Sequence, residues 1–565
     1  MSALKQLVDI LWFKLASWRK LSPSSSGMLP FRKLFTLLVY AAFAVGAVMF
    51  SRFVTWYLLD YVRIGLFLYH RFIAIVLFVF FLTVSAGNVV VSFATLYRSP
   101  EMSFLLSNPI PHATIFVVKF LDNFFYSSGT LFLASFAVLL GYGSYFNFAW
   151  YFYPMYLCCV LVPCMLIAGS LAVILLLLMM KLAATIPFKT VIGGVAVLYA
   201  VQIVVYFTLT NPVSLVKEIM LSYPFINAYY GSIDPPVTRM LPNYWAAQVL
   251  YFWITDFTPG LIANIALCML TSLGCFTAAV LLGGRYFYET WLTSLTIHSS
   301  SVGRRDGSLP MFHFERPSRL SPHIEAILKK EYWLFVRDPS QWIHAAVMAV
   351  LLVVFLASAG TMEFKIVSSD LRAVIFLVIF VFNAFLISSI ALRFVFPLMS
   401  LEGRAYWSVR SAPIRPSSLY WIKYVAMTSM LVALGIVIWA ASTLPYRAIP
   451  CIPETSLAII ISVAVAASSL NSGMGSLYAD FSEKNPIRLA SSQGATMTFL
   501  FTMTLLAAVV ALYFYPVLSI FITHFAGRPV TAKPVVNAVL LIASLSFVVS
   551  ILAHWAGVRA LKNDF

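Results

Sequence analysis

Twelve stretches of this sequence are each long and apolar enough to cross a lipid bilayer as a helix, and few folds accommodate them. They run roughly over 34–58, 72–95, 115–140, 151–180, 190–210, 261–283, 342–360, 372–396, 419–442, 455–474, 494–517 and 534–556. A spanning helix needs about 20 mostly apolar residues, whereas a barrel strand needs about 9–11. Backbone inside hydrocarbon must satisfy its own hydrogen bonds, so runs of this length read as helices. Composition agrees: 61% of the residues are hydrophobic and 10% charged, against about 45–50% and about 25% in soluble domains. That excludes a soluble enzyme, a disordered chain and a nucleic-acid-binding domain, despite a net charge of +17. The expected fold class is an all-α polytopic membrane protein.

The basic residues orient the spans. With the N-terminus in the cytoplasm, 27 of the 37 Lys and Arg fall on the cytoplasmic side. They lie in the N-terminal arm, in the loops after spans 2, 4, 8 and 10, in a central linker, and in the tail after span 12. Such a bias puts both ends in the cytoplasm. The arm at 1–33 has six basic residues and no long apolar core, so it does not read as a cleavable signal. Leu4, Leu7, Leu11, Leu15 and Trp18 recur at helical spacing, which suggests an amphipathic helix on the membrane surface. The six cysteines show no metal or disulfide spacing.

The sequence also repeats itself. Ser99-Pro100-Glu101, Pro109-Ile110 and Lys119 follow span 2; Ser400-Leu401-Glu402, Pro413-Ile414 and Lys423 follow span 8. From proline to lysine the gap is 10 residues in both copies. Pro187-Phe188-Lys189 after span 4 matches Pro486-Ile487-Arg488 after span 10. The offsets between copies are 301, 304 and 299 residues. Six spans separate the copies, so both would face the same side, as two parallel six-helix repeats. The expected domains are a cytoplasmic arm (1–33), a first six-span half (34–283), a linker with an elbow helix (284–341), a second half (342–557) and a cytoplasmic tail (558–565).

The loop after span 2 reads as a short helix. Ser99 suits an N-cap, Pro100 the first helical position, and Glu101 complements the helix N-terminus. Met102, Leu105 and Leu106 share a face, and Pro109 and Pro111 end the helix. Two readings stand: a docking knob for a cytoplasmic partner, or a capped turn with solvated charges.

The run from Arg98 to Lys119 resembles the first cytoplasmic loop of ABC-2 type exporter permeases. So do Leu392-Arg393-Phe394-Val395-Phe396-Pro397, Ser400-Leu401-Glu402-Gly403-Arg404 and Arg410-Ser411-Ala412-Pro413-Ile414. Lys330-Glu331-Tyr332-Trp333 through Trp342 is similar to the segment before the first span of that family. Asp480-Phe481-Ser482-Glu483-Lys484-Asn485-Pro486 is similar to its second cytoplasmic loop. The first copy is shorter and lacks the Leu-Glu-Gly-Arg run.

The resemblance implies the membrane-spanning permease subunit of an ATP-driven exporter with two fused halves. It implies alternating access driven by separate cytoplasmic ABC ATPase subunits, two of them, with no enzyme activity on this chain. ATP and Mg would then sit on the partner, and no cofactor on this chain. The ATPase-coupling positions carried over are Arg98, Glu101, Glu402, Arg404, Arg410, Asp480 and Glu483. The implied location is the bacterial inner membrane. The residues themselves agree with a separate motor, because no G-x-x-x-x-G-K-[ST] phosphate loop occurs. The alternative is an ion- or proton-coupled secondary transporter.

Ionisable residues within spans are functional candidates. Asp122 lies three residues after Lys119, as a structural pair or as part of a pathway. Tyr244, Trp245, Tyr251, Phe252 and Trp253 suit an interfacial helix, as a surface anchor or as a gate.

Overall fold

A computed structural model describes residues 29–61, 65–99, 101–210, 237–303, 321–337, 369–411, 415–482, 489–490 and 492–562, with isolated positions at Trp12, Ala345 and Ala349. All regular secondary structure among the described residues is helical. Ten of the helices are long and apolar enough to cross a membrane. The expected span at 115–140 lies within a 34-residue helix, His112–Tyr145, which is not among those ten. The expected span at 342–360 falls almost wholly outside the described residues, as does the surface helix expected from Leu4 to Trp18.

The chain divides into two compact units, with the boundary after Arg305. In the first, α1 is Leu29–Trp56, α2 Leu66–Tyr97, α3 Glu101–Ser107 and α4 His112–Tyr145. Helix α5 runs over Phe152–Leu182, α6 over Phe188–Thr210, α7 over Pro242–Ile254 and α8 over Thr258–Gly303. Helix α5 is the centre of this unit: it packs against α2 and α8 and buries Ala168, Gly169, Ser170, Ala172 and Val173. Such small residues let helix backbones approach where lipid supplies no hydrophobic driving force. A π-turn, Leu157–Leu161, interrupts α5 just before Pro163. Proline cannot donate to the helical ladder, and the wider turn absorbs that gap.

Helix α7 carries the aromatic residues Tyr244 to Trp253. It packs between α2 and α8, with Trp245, Ala246, Ala247, Val249 and Leu250 buried. Trp253 packs edge-on or tilted against Phe148, Tyr151 and Phe152.

In the second unit, α9 is Pro322–Arg337, α10 Ser369–Phe394, α11 Tyr406–Ser411 and α12 Pro416–Ser442. Helix α13 is Ile452–Leu477, α14 Gln493–Phe525 and α15 Lys533–Lys562. Helix α13 is central here, packed against α10, α12, α14 and α15. It buries Ser468, Ser469, Asn471, Ser472 and Ser476, each able to bond within its own helix or to a neighbour. Tyr424 meets Ser469 at 3.0 Å, and Thr428 meets Ser468 at 2.5 Å. The outer faces of both units carry exposed Leu, Val and Phe, for example Val197, Leu270, Leu540 and Phe547. Water would penalise so apolar a surface, and lipid does not.

Candidate functional site: a charged layer at the ends of the helices

Between α10 and α11 the chain makes two 3-10 turns, Phe396–Leu398 and Ser400–Ala405. Gly403 reverses direction within the second, at φ 59° and ψ −154°. That region is essentially reserved for glycine. The reversal turns Glu402 inward, where its side chain is 4% exposed.

Glu402 Oε1 accepts from two lysines. Lys423 of α12 lies 2.5 Å away, and Lys330 of α9 is bonded to the same oxygen. Lys423 also donates to the Leu398 carbonyl at 2.8 Å. Glu331 Oε1 sits 3.0 Å from Lys423, within ion-pair reach but not aligned as a hydrogen bond. The two lysines and two glutamates balance in charge. Burying ions is tolerable when each is paired and hydrogen-bonded. Beneath them, Ile327, Met399, Tyr406, Leu419, Tyr420 and Leu561 form an apolar cluster that seats α9.

The same turn holds the loop after α13. Ser400 Oγ accepts from the Asp480 N–H at 3.1 Å. Asp480 Oδ1 accepts from the Ser482 N–H at 2.9 Å and its hydroxyl at 2.6 Å, which closes a local turn. The Tyr406 ring stacks on Phe481, with centroids 4.5 Å apart. Burial pushes the Tyr406 phenol up; Arg410 and Lys423 oppose the shift and Glu402 adds to it.

The first unit carries a smaller version. Glu101 opens α3, and Lys119 of α4 lies 2.5 Å from its Oε2. Lys119 is enclosed, while the Glu101 side chain is half-exposed. Met102 is buried and anchors α3. Ser99 does not cap through its side chain: its carbonyl accepts from the Met102 N–H at 3.1 Å, and its buried hydroxyl has no partner. Arg98 ends α2 and lies 5.6 Å from the Phe93 ring. Asp122 is half-buried one turn beyond Lys119.

Of the residues singled out from sequence, the structure gathers Glu402 and Asp480 around one turn and places Glu101 on Lys119. Arg410 is exposed on α11. Arg404 lies in the Ser400–Ala405 turn, and Glu483 lies outside the described residues. The partnership of Lys330, Glu331 and Lys423 with Glu402 was not read from sequence. The signal for it was a lone lysine near the start of an apolar span, repeated at the same distance from a proline.

Fold and charged layer together define a multi-span helical membrane protein with ion-paired turns joining its helices. A family model described as "Putative ATP-binding cassette" matches residues 29–564, nearly the whole chain, and the chain belongs to that family. No curated protein and no solved structure matches it.

This membership corrects several expectations. The matching family is described as an ATP-binding cassette, not as an ABC-2 type permease, so identification as an exporter permease subunit does not stand. Ion- or proton-coupled secondary transport gains no support either. The description assigns nucleotide to the family itself, which overturns the placement of ATP and Mg on a partner alone. It also removes the ground for denying this chain any part in ATP hydrolysis. The resemblance rested on a few short loop segments, whereas the family match spans residues 29–564.

Holding ATP and Mg takes a cradle of free backbone N–H groups with a lysine, plus an oxygen ligand for the metal. Among the described residues there is no group of three His, Cys, Asp or Glu that would hold a metal. Lys330 and Lys423 are engaged by carboxylates. Neither of these two lysines is therefore free to take a phosphate.

Proposed function

We propose that this chain is a multi-span membrane protein that takes part in ATP-dependent work of an ATP-binding cassette system. In this reading the charged layer around Glu402 transmits that work to the helices. The observation that carries it is the enclosed Glu402–Lys423–Lys330 cluster, which ties a surface helix, a turn and a long membrane helix at one point. A push on the turn moves α12 with it, because separating Glu402 from Lys423 parts two buried charges, and Lys330 carries the same motion to α9. In the second half Arg404, Arg410, Asp480 and Glu483 would complete the contact face; in the first half Arg98 and Glu101 would form a separate one, with Lys119 and Asp122 behind it.

The same reading takes the chain as two parallel repeats of six spans, twelve in all, with both ends in the cytoplasm of a bacterial inner membrane. It is supported by the basic bias of the loops and by a Lys–Glu pair at corresponding positions of the two copies. Maleimide labelling of an Arg410→Cys variant in inverted vesicles tests both parts. The expected result is labelling in inverted but not right-side-out vesicles, at a rate that changes at least threefold between ATP-Mg and apyrase treatment. Equal rates in the two nucleotide conditions overturn the coupling role.

A further inference from the structure

Helices α5 and α8 pack together in the first unit, and each brings a cation to the same aromatic ring. Lys181, in the last turn of α5, holds its Nζ 4.1 Å from the centre of the Tyr286 ring. Arg285 of α8 holds its Cζ 5.4 Å from that centre. The ring quadrupole attracts each cation. It does not cancel their charge, and two like charges gathered at one ring still repel each other. Among the described residues no carboxylate pairs with either one. Glu289 lies one turn further along α8 and makes no ion pair with Arg285.

Both cations are exposed. Towards the middle of each helix the surface turns apolar at once. Leu178 and Leu182 flank Lys181, Leu281 and Leu282 precede Arg285, and all four are exposed. The two helices therefore present an uncompensated double positive charge immediately above a wall of lipid-facing leucines.

That order matches the build of a glycerophospholipid, whose phosphodiester sits directly above its acyl chains. Basic pockets between membrane helices hold such headgroups. Free phosphate would answer the charges but leave the leucines without a partner. A zwitterionic headgroup would bring an ammonium that the two cations repel. We propose that Lys181 and Arg285, gathered on Tyr286, seat the phosphodiester of an acidic glycerophospholipid, with its acyl chains along Leu178 and Leu281.

The test is photolabelling of the full-length protein in phosphatidylcholine nanodiscs. The probe is a phosphatidylglycerol with a diazirine near the top of one acyl chain, against a phosphatidylcholine with the same chains. Adducts mapped by mass spectrometry to 174–182 and 278–286 are expected to be at least tenfold more frequent for the acidic lipid. A basic residue beside acidic lipid is worth about fivefold in binding. Lys181→Gln and Arg285→Gln are each expected to lower labelling of these segments by about that factor, and the double variant to bring it to the phosphatidylcholine level. Arg559→Gln with Lys562→Gln removes two exposed cations from the end of α15 in the second unit and is expected to leave these segments labelled as before. Equal labelling by the two lipids, or an unchanged double variant at Lys181 and Arg285, overturns the proposal. An equal fall in the α15 variant does so too, because bulk surface charge then accounts for the signal. Excess inorganic phosphate at constant ionic strength is expected to leave the labelling intact; its loss makes free phosphate the ligand and overturns the lipid assignment.

Discussion

Lys423 and Glu402 stand 2.5 Å apart with both side chains at most 4% exposed, and they are joined from the outside by Lys330 of the surface helix α9. A pair so enclosed contributes less through its attraction than through the penalty for breaking it.

Glu402→Gln is therefore expected to cost about 3–5 kcal/mol, because it leaves Lys423 buried with only Glu331 nearby. Lys423→Met alone is also expected to destabilise, because it leaves the buried Glu402 with Lys330 as its one remaining lysine. The double variant is expected to be more stable than either single one, since no charge is left unpaired. Thermal aggregation in detergent measures the order; a double variant no better than the worse single one contradicts the pairing.

Glu101→Gln is expected to cost less than Glu402→Gln. The Glu101 side chain is 52% exposed, so water screens its pair with Lys119. Parallel melting of the two variants decides the matter, and equal losses count against the burial argument.

Gly403→Ala is expected to destabilise by about 1–3 kcal/mol, the usual cost of a side chain at such φ and ψ. It is also expected to loosen the loop after α13, because Ser400 and Tyr406 flank Gly403 and hold Asp480 and Phe481. Faster protease cleavage near residue 480 is the readout. Unchanged cleavage together with unchanged melting counts against the turn as the loop's anchor.

Gly473→Ala probes the joint between α13 and α15. A Cβ there would lie 2.2 Å from the Ala553 carbonyl oxygen, so the helices must separate. A loss of about 1–3 kcal/mol is expected, as for other overpacked cores. Gly193→Ala in α6 is the control: nothing lies within 4 Å of its added carbon, and stability is expected to stay or rise slightly.

The membrane helices were legible because length and apolarity are local properties. Eleven of the expected spans fall within helices, and the remaining one falls almost wholly outside the described residues. The charged layer was legible only in part. Glu101 and Glu402 stood out beside repeated prolines, but Lys330 meets Glu402 across 72 residues of sequence. No periodicity announces such a pair, because it depends on how α9 docks over Ile327 and Leu419. The packing of helix α7 was not legible for a related reason. Its aromatic residues suit a membrane surface, and only the structure shows that one face, with Trp245, Ala246 and Val249, is buried between α2 and α8.

By itself the sequence determined that this protein is helical and that its solvent is lipid, since apolar runs near 20 residues have one stable form in hydrocarbon. Tertiary structure decided which charges are buried together and which meet at one ring. Those outcomes depend on distances between separate helices, and a long helix can be turned about its axis without any change in its hydrophobic length.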